Sequence, residues 1–184
     1  MINKFIALLI IIILSPIYLL ISIMIYLTDG APIFYVQKNY GIDHTTFDLY
    51  KFRTMKKNTP EMPTEEFMNA DEYILNIGKF LRKYSLDEIP QFFNIIKGDL
   101  NFIGPRPCMT KNEDIIKNLR EKKDIHKIKP GITGLAQVNG RDDNSYEKKV
   151  ALDYEYMKNS NFLMDIQIII KTIYVVLFPK NIKH

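Results

Sequence analysis

From Phe5 to Leu27 the chain carries no charged side chain, a run longer than the ~20 apolar residues an α-helix needs to cross the hydrocarbon of a bilayer. It is also too long for an ordinary signal-peptide core, and no small-residue cleavage site follows it. Ser15-Pro16 falls at its middle. Proline there removes one helical hydrogen bond and crowds the carbonyl four residues earlier, which predicts a kink. Two arrangements satisfy a kinked apolar helix. It either spans the membrane, where such prolines are tolerated, or enters, bends and returns to the face it came from. Lysines do not choose, since Lys4 lies on one side and Lys38 with the Lys51–Lys57 cluster on the other.

At 184 residues the chain suits one core-bearing domain appended to that segment. Twenty-five Lys and Arg against 21 Asp and Glu give a modest positive excess, suited to anionic lipid or a nucleotide phosphate. No nucleic-acid-binding motif is present. Cys108 is the one cysteine, so no internal disulfide can form, which fits a reducing compartment; a small buried apolar role is expected of it. The fold class read from the pattern is α+β and mainly helical, with residues 1–28 as the membrane helix and 29–184 as one globular domain.

Ile33–Gln37 and Thr45–Phe52 read as strands separated by the turn-prone Asn39-Tyr40-Gly41, a β-hairpin. On the second strand Lys51 and Arg53 alternate and so share one face, either that of the site or a solvated one. A polar loop follows, then a helix with Phe67, Ala70, Ile74, Ile77 and Leu81 on one face and Arg82 at its end. Arg82 there serves either the helix dipole or a phosphate. Asn112–Lys123 reads as a charged amphipathic helix lying mainly on the surface. Phe162–Phe178 is apolar but interrupted by Asp165 and Lys171, so it reads as a core helix or as an interfacial one with Lys171, Lys180 and Lys183 toward lipid head groups.

Residues 85–107, SLDEIPQFFNIIKGDLNFIGPRP, are the most informative for chemistry. Leu86, Ile89, Phe92, Phe93, Ile96 and Leu100 recur at helical spacing. Pro90 belongs in a first turn, which favours Asp87 as the N-cap. A carboxylate there would sit among free N–H groups at the positive end of the helix. The competing reading is a Ser85/Glu88 capping box with no catalytic meaning. Arg106, between Pro105 and Pro107, presents a guanidinium at reduced entropic cost, for phosphate or simply for solvent. Gly131, Gly134 and Gly140 read as turn-makers, followed by Arg141.

Taken together, SLDEIPQ, GDLNFIGPRP, KFRTM at 51–55 and KPGITGLAQVNGRDD at 129–143 resemble the bacterial sugar transferases known as monotopic phosphoglycosyl transferases, in the same order and at similar spacing. The resemblance extends from the apolar N-terminus to about residue 175. It implies that Ser15-Pro16 is the break of a re-entrant helix, which places both helix ends and the catalytic domain on the cytoplasmic face of the bacterial inner membrane. It also implies a reaction in which the Asp of the Asp-Glu pair, Asp87, attacks a UDP-sugar, releases UMP and carries the phosphosugar covalently until a polyprenyl phosphate accepts it. Glu88 then holds Mg²⁺ or manages proton and charge, with Asp87 as a second metal ligand. Oxygen ligands and phosphates suit a hard cation, and no His/Cys cluster points to zinc. Lys51, Arg82, Arg106 and Arg141 are the substrate-binding candidates, membrane lipids are partners, and a homodimer remains open.

The segment Asp142-Asp143-Asn144-Ser145-Tyr146 departs from the more apolar stretch of some relatives, which leaves the sugar open, while the segment LREKKDIHKIKPGITG at 119–134 resembles members that act on N-acetylated sugars and gives a leaning that way. Two other classes stay in view: a membrane-tethered glycosyltransferase using Asp142 and Asp143 and releasing UDP, and a non-enzymatic membrane scaffold.

Overall fold

The computed structural model describes residues 1–57, 59, 70–111, 113–140 and 144–178. Phe67, Arg141, Asp142, Asp143, Lys180 and Lys183 lie outside the described residues. Helix α1, Ile2–Asp29, is 28 residues long, and its helical assignment runs through Pro16. Most of its surface is exposed and apolar, Phe5, Leu9, Ile13, Leu20 and Leu27 among it. By length and composition it could cross a membrane.

The helix is nevertheless tied to the globular part at both ends. Near its start the Lys4 ammonium donates to the Lys97 carbonyl at 3.4 Å, and Ala7 packs with Phe47, Leu49, Ile95 and Leu100. Toward its far end Ile21 and Ile25 pack with Phe52 and Leu81, and the Tyr18 hydroxyl donates to the Ile89 carbonyl at 2.6 Å.

Strands β1 (Phe34–Tyr40) and β2 (Thr46–Phe52) form the expected antiparallel hairpin, with Tyr40 opposite Thr46. The reversal lies later than the sequence indicates. Asn39 and Tyr40 are strand residues, and the chain turns through Ile42–His44, where Asp43 and His44 take positive φ. Tertiary contacts explain the extra strand length: the Asn39 side-chain amide donates to the Pro107 carbonyl at 3.1 Å and the Tyr40 N–H to the Cys108 carbonyl at 2.8 Å.

Helices α2 (Ala70–Tyr73) and α3 (Asn76–Lys83) replace the single helix expected through Ile74. The break at Ile74-Leu75 arises because this chain pairs with the tail of β2: Lys56 N–H donates to the Tyr73 carbonyl and Leu75 N–H to the Thr54 carbonyl. A short 3-10 turn, Leu86–Glu88, precedes α4 (Gln91–Lys97), which ends at Gly98 in the left-handed conformation, so Leu100 lies beyond the helix. Buried Asn94 bolts α4 to β2. Its side chain accepts from Tyr50 N–H at 3.1 Å and donates to the Asp48 carbonyl at 2.7 Å.

Strands β3 (Asn101–Ile103) and β4 (Gly131–Thr133) pair in parallel. Gly131 and Gly134 are not positive-φ turn residues, contrary to expectation. They are glycine because a Cβ on either would collide with the backbone of Gly104, just before Arg106. Gly140 alone of the three has the positive φ that favours glycine.

Helix α5 (Asp114–Glu121) is amphipathic, yet it is not merely a surface helix, because Ile116 and Arg120 are both buried. After α6 (Leu135–Val138) comes α7 (Tyr146–Asn159), which the sequence reading left undescribed. Ser145 caps it by accepting from Lys148 N–H, and Val150 joins the core of Cys108, Ile116 and Ile125. Helix α8 (Phe162–Leu177) is not a core helix. Ile168 is its buried residue, while Phe162, Leu163, Ile170, Ile173 and Leu177 are exposed. Lys171 reaches Asn139 at 3.3 Å.

Candidate active site

The acidic pair sits in the 3-10 turn Leu86–Glu88, entered through Ser85 in the left-handed conformation. Asp87 is therefore not the N-cap of the helix that follows, and Ser85 makes no side-chain cap bond either. The reason is Pro90. Without an N–H it takes the N-cap position of α4, with Phe93 N–H donating to its carbonyl, and the three residues before Ile89 fold as a separate turn. Neither cap reading accounts for Asp87. Its carboxylate stands free of capping duty, in a half-buried position between α3 and α4.

Three segments distant in sequence bring cations to this turn. Lys51, near the end of β2, lies 3.7 Å from the Glu88 carboxylate. Arg106, from the loop after β3, donates to the same Glu88 oxygen at 2.9 Å. Arg82, in the last turn of α3, is held by a hydrogen bond from its Nε to the Thr54 hydroxyl at 2.9 Å, and its charge acts on Asp87. Lys51, Arg82, Asp87, Glu88 and Arg106, predicted separately, are thus brought together.

Arg53 is not. It falls just past the end of β2, where strand alternation no longer applies, and its guanidinium turns to the C-terminus of α1, donating to the Asp29 and Gly30 carbonyls at 3.2 and 2.6 Å and pairing with the Asp29 carboxylate at 3.3 Å. A cation there satisfies the helix's last carbonyls and its negative end. Thr54, which sequence reasoning passed over inside KFRTM, instead supplies the contact that orients Arg82.

The electrostatics follow from this packing. Burial, then the neighbouring Glu88 carboxylate, push the Asp87 carboxyl up to about 6, against the opposing pull of Lys51 and Arg82. Burial and the nearby Arg106 charge lower Lys51, with Glu88 and Asp87 working in the other direction. A half-buried carboxylate poised near neutrality among three cations is a site for a group bearing several negative charges. Its own charge is compensated well enough to let it ionise, and the surrounding cations are ready to receive phosphate oxygens.

Among the described residues no group of three or more His, Cys, Asp or Glu side chains could hold a metal on its own. The adjacent Asp87 and Glu88 carboxylates do fit a hard cation of the Mg²⁺ type, which binds through one or two carboxylates and completes its shell with phosphates and water.

Residues 1–179 match the bacterial sugar transferase family. The chain belongs to that family. It is 39% identical to the uncharacterized sugar transferase EpsL of Bacillus subtilis, over 92% of this chain and 82% of that one. It is 34% identical to the UDP-glucose:undecaprenyl-phosphate glucose-1-phosphate transferase of Escherichia coli, covering 91% of this chain and 38% of that protein. To the undecaprenyl-phosphate galactose phosphotransferase of Salmonella typhimurium it is 38% identical, covering 84% of this chain and 36% of the relative. The chain therefore matches just over a third of the length of those last two relatives.

Proposed function

We propose that this bacterial sugar transferase moves a sugar-1-phosphate from a UDP-sugar to a polyprenyl phosphate, releasing UMP and forming a polyprenyl diphosphate sugar. The observation that carries the reading is the convergence of Lys51, Arg82 and Arg106 on the Asp87-Glu88 turn. Two named relatives act on undecaprenyl phosphate, which supports the choice of acceptor.

In the first step the Asp87 carboxylate attacks the phosphorus that bears the sugar. The bond from that phosphorus to the bridging oxygen breaks, and UMP leaves with the bond electrons. In the second step a phosphate oxygen of the polyprenyl phosphate attacks the same phosphorus, the acyl-phosphate bond breaks, and Asp87 is regenerated as a carboxylate. Positioning and charge neutralisation do most of the work in phosphoryl transfer. Arg106 and Lys51 are placed to donate to phosphate oxygens when these compete with Glu88, and Arg82 holds charge beside the nucleophile. Mg²⁺ held by Asp87 and Glu88 would supply further neutralisation of the diphosphate.

We further infer that α1 is re-entrant and the domain cytoplasmic. Support comes from the ties at both ends of the helix to one domain: Lys4 and Ala7 at the start, and Ile25 with the Asp29–Arg53 pair at the end. A helix crossing the bilayer would carry one of those ends to the opposite face. The exposed apolar side of α8 supports an interfacial placement of that helix.

The test is product analysis with polyprenyl phosphate and a panel of UDP-sugars, N-acetylated ones included. UMP release with one or more of them is expected. UDP release would instead favour direct glycosyl transfer, and no turnover with any sugar would favour a scaffold.

A further inference from the structure

The loop that presents Arg106 is gripped from behind by a buried ion pair. Arg120 on α5 is 8% exposed and Asp153 on α7 is 1% exposed. Arg120 directs Nε and Nη2 at a single Asp153 oxygen, at 3.0 and 2.6 Å. Its remaining terminal nitrogen, Nη1, donates to the Arg106 carbonyl at 2.6 Å and to the Cys108 sulfur at 2.7 Å. One guanidinium therefore joins α5, α7 and both sides of Pro107.

Stability is a poor explanation for such a group. Taking two charges out of water is expensive, and apolar side chains of similar volume often serve a core as well or better. What an apolar pair cannot do is donate to the Arg106 carbonyl. A small open pocket of about 40 Å³ lies on this side of the loop, lined by residues that include Tyr40, Pro105, Lys117 and His126. On the opposite side Arg106 sends its guanidinium to Glu88 at 2.9 Å. The backbone hold and the side-chain reach belong to the same residue.

We propose that Arg120 is a positioning residue for phosphosugar transfer: anchored by Asp153, it fixes the Arg106 carbonyl and so aims the Arg106 guanidinium at Glu88 and at the substrate diphosphate. This rests on the reading that Arg106 engages that diphosphate. Lysine at 120 could keep the charge but not the fork that reaches Asp153 and the loop together.

The test is a double-mutant cycle on the full-length enzyme in membranes or detergent, with kcat and KM for the UDP-sugar and thermal unfolding measured for each variant. Arg120→Met/Asp153→Leu removes the grip and leaves no unpaired charge, and Arg120→Lys gives a second measurement that does not depend on that double replacement folding. Each is expected to lower kcat/KM by about tenfold to 100-fold, mainly in kcat, as small misplacements of catalytic groups do. With Arg106→Ala already present, the same changes should lower it by no more than about twofold. Equal losses in both backgrounds would show a general structural role and overturn the proposal, as would full activity of Arg120→Lys. Arg106→Ala separates the two claims: if it alone leaves turnover unchanged, the diphosphate role of Arg106 fails and the positioning role with it. If it impairs turnover while the Arg120 losses remain additive, the positioning role alone fails.

Discussion

The Arg106 guanidinium lies 2.9 Å from the Glu88 carboxylate, joining the proline-framed loop to the acidic turn across 18 residues of sequence. Glu88 also stands within 3.7 Å of Lys51, so one carboxylate holds two cations in place beside Asp87. An incoming diphosphate would meet both cations already oriented.

Arg106→Lys is accordingly not a conservative change. Lysine keeps the charge but loses the planar two-point grip on phosphate. Loss of a hydrogen bond to a charged group is worth about 1.5–3 kcal/mol, which is about tenfold to 100-fold in kcat/KM. Steady-state kinetics check this, and thermal unfolding should be little changed because Arg106 is exposed.

Asp87 ties activity to pH. Its carboxyl is raised to about 6 and must ionise to attack, so kcat/KM should rise with pH along an acid limb centred near that value. The effect on stability has the opposite sense. Between the ordinary carboxylate value and about 6 the folded protein binds more protons than the unfolded chain, so the Asp87 contribution to stability falls as pH rises through that window. Asp87→Asn should remove that dependence and leave the neutral-pH melting temperature unchanged or higher. A pH series of melting curves for the two proteins measures it.

How much of this was readable beforehand depended on whether the signal was local. The uncharged run from Phe5 to Leu27 and the strand-like run Thr45–Phe52 state their secondary structure directly: a long helix forms over the first, continuous through Pro16, and β2 covers Thr46–Phe52 of the second. The candidate residues Lys51, Asp87, Glu88 and Arg106 could be named because each stands in a compact motif, and Arg82 because it ends the helix that leads into the acidic pair. Tertiary demands decided the rest. Asp87 resembled a helix cap because the spacing to Pro90 permits it, but the chain uses Leu86–Glu88 as a separate turn. Arg53 looked like a partner of Lys51 until the carbonyls ending α1 claimed it. Arg120 read as surface charge because its partner, Asp153, lies 33 residues away on a helix with no conspicuous motif.

Metal removal should abolish turnover. EDTA is expected to reduce UMP release to background, and excess Mg²⁺ to restore it, since Asp87 and Glu88 offer the oxygen donors such an ion takes. Undiminished activity in EDTA would leave charge neutralisation to Lys51, Arg82 and Arg106 alone.

Topology can be read by cysteine labelling in intact cells. A membrane-impermeant reagent applied outside should fail to label Asn3→Cys and Ser160→Cys alike, both positions being exposed on the protein while native Cys108 is buried. Labelling of one position but not the other would establish a spanning α1. Pro16→Ala restores a helical donor at the middle of α1 and should shift the protein toward spanning, with lower activity.

The central claim is that Asp87 is the nucleophile. Intact-protein and peptide mass spectrometry of the enzyme incubated with its UDP-sugar, without polyprenyl phosphate, measures it most directly. A phosphosugar adduct on Asp87 is predicted. It should be absent from Asp87→Asn, whose amide is a very poor nucleophile and whose UMP release should fall by at least ~10³-fold while the protein stays folded. A folded Asp87→Asn enzyme that turns over normally, or an adduct mapped to another residue, would contradict the covalent mechanism.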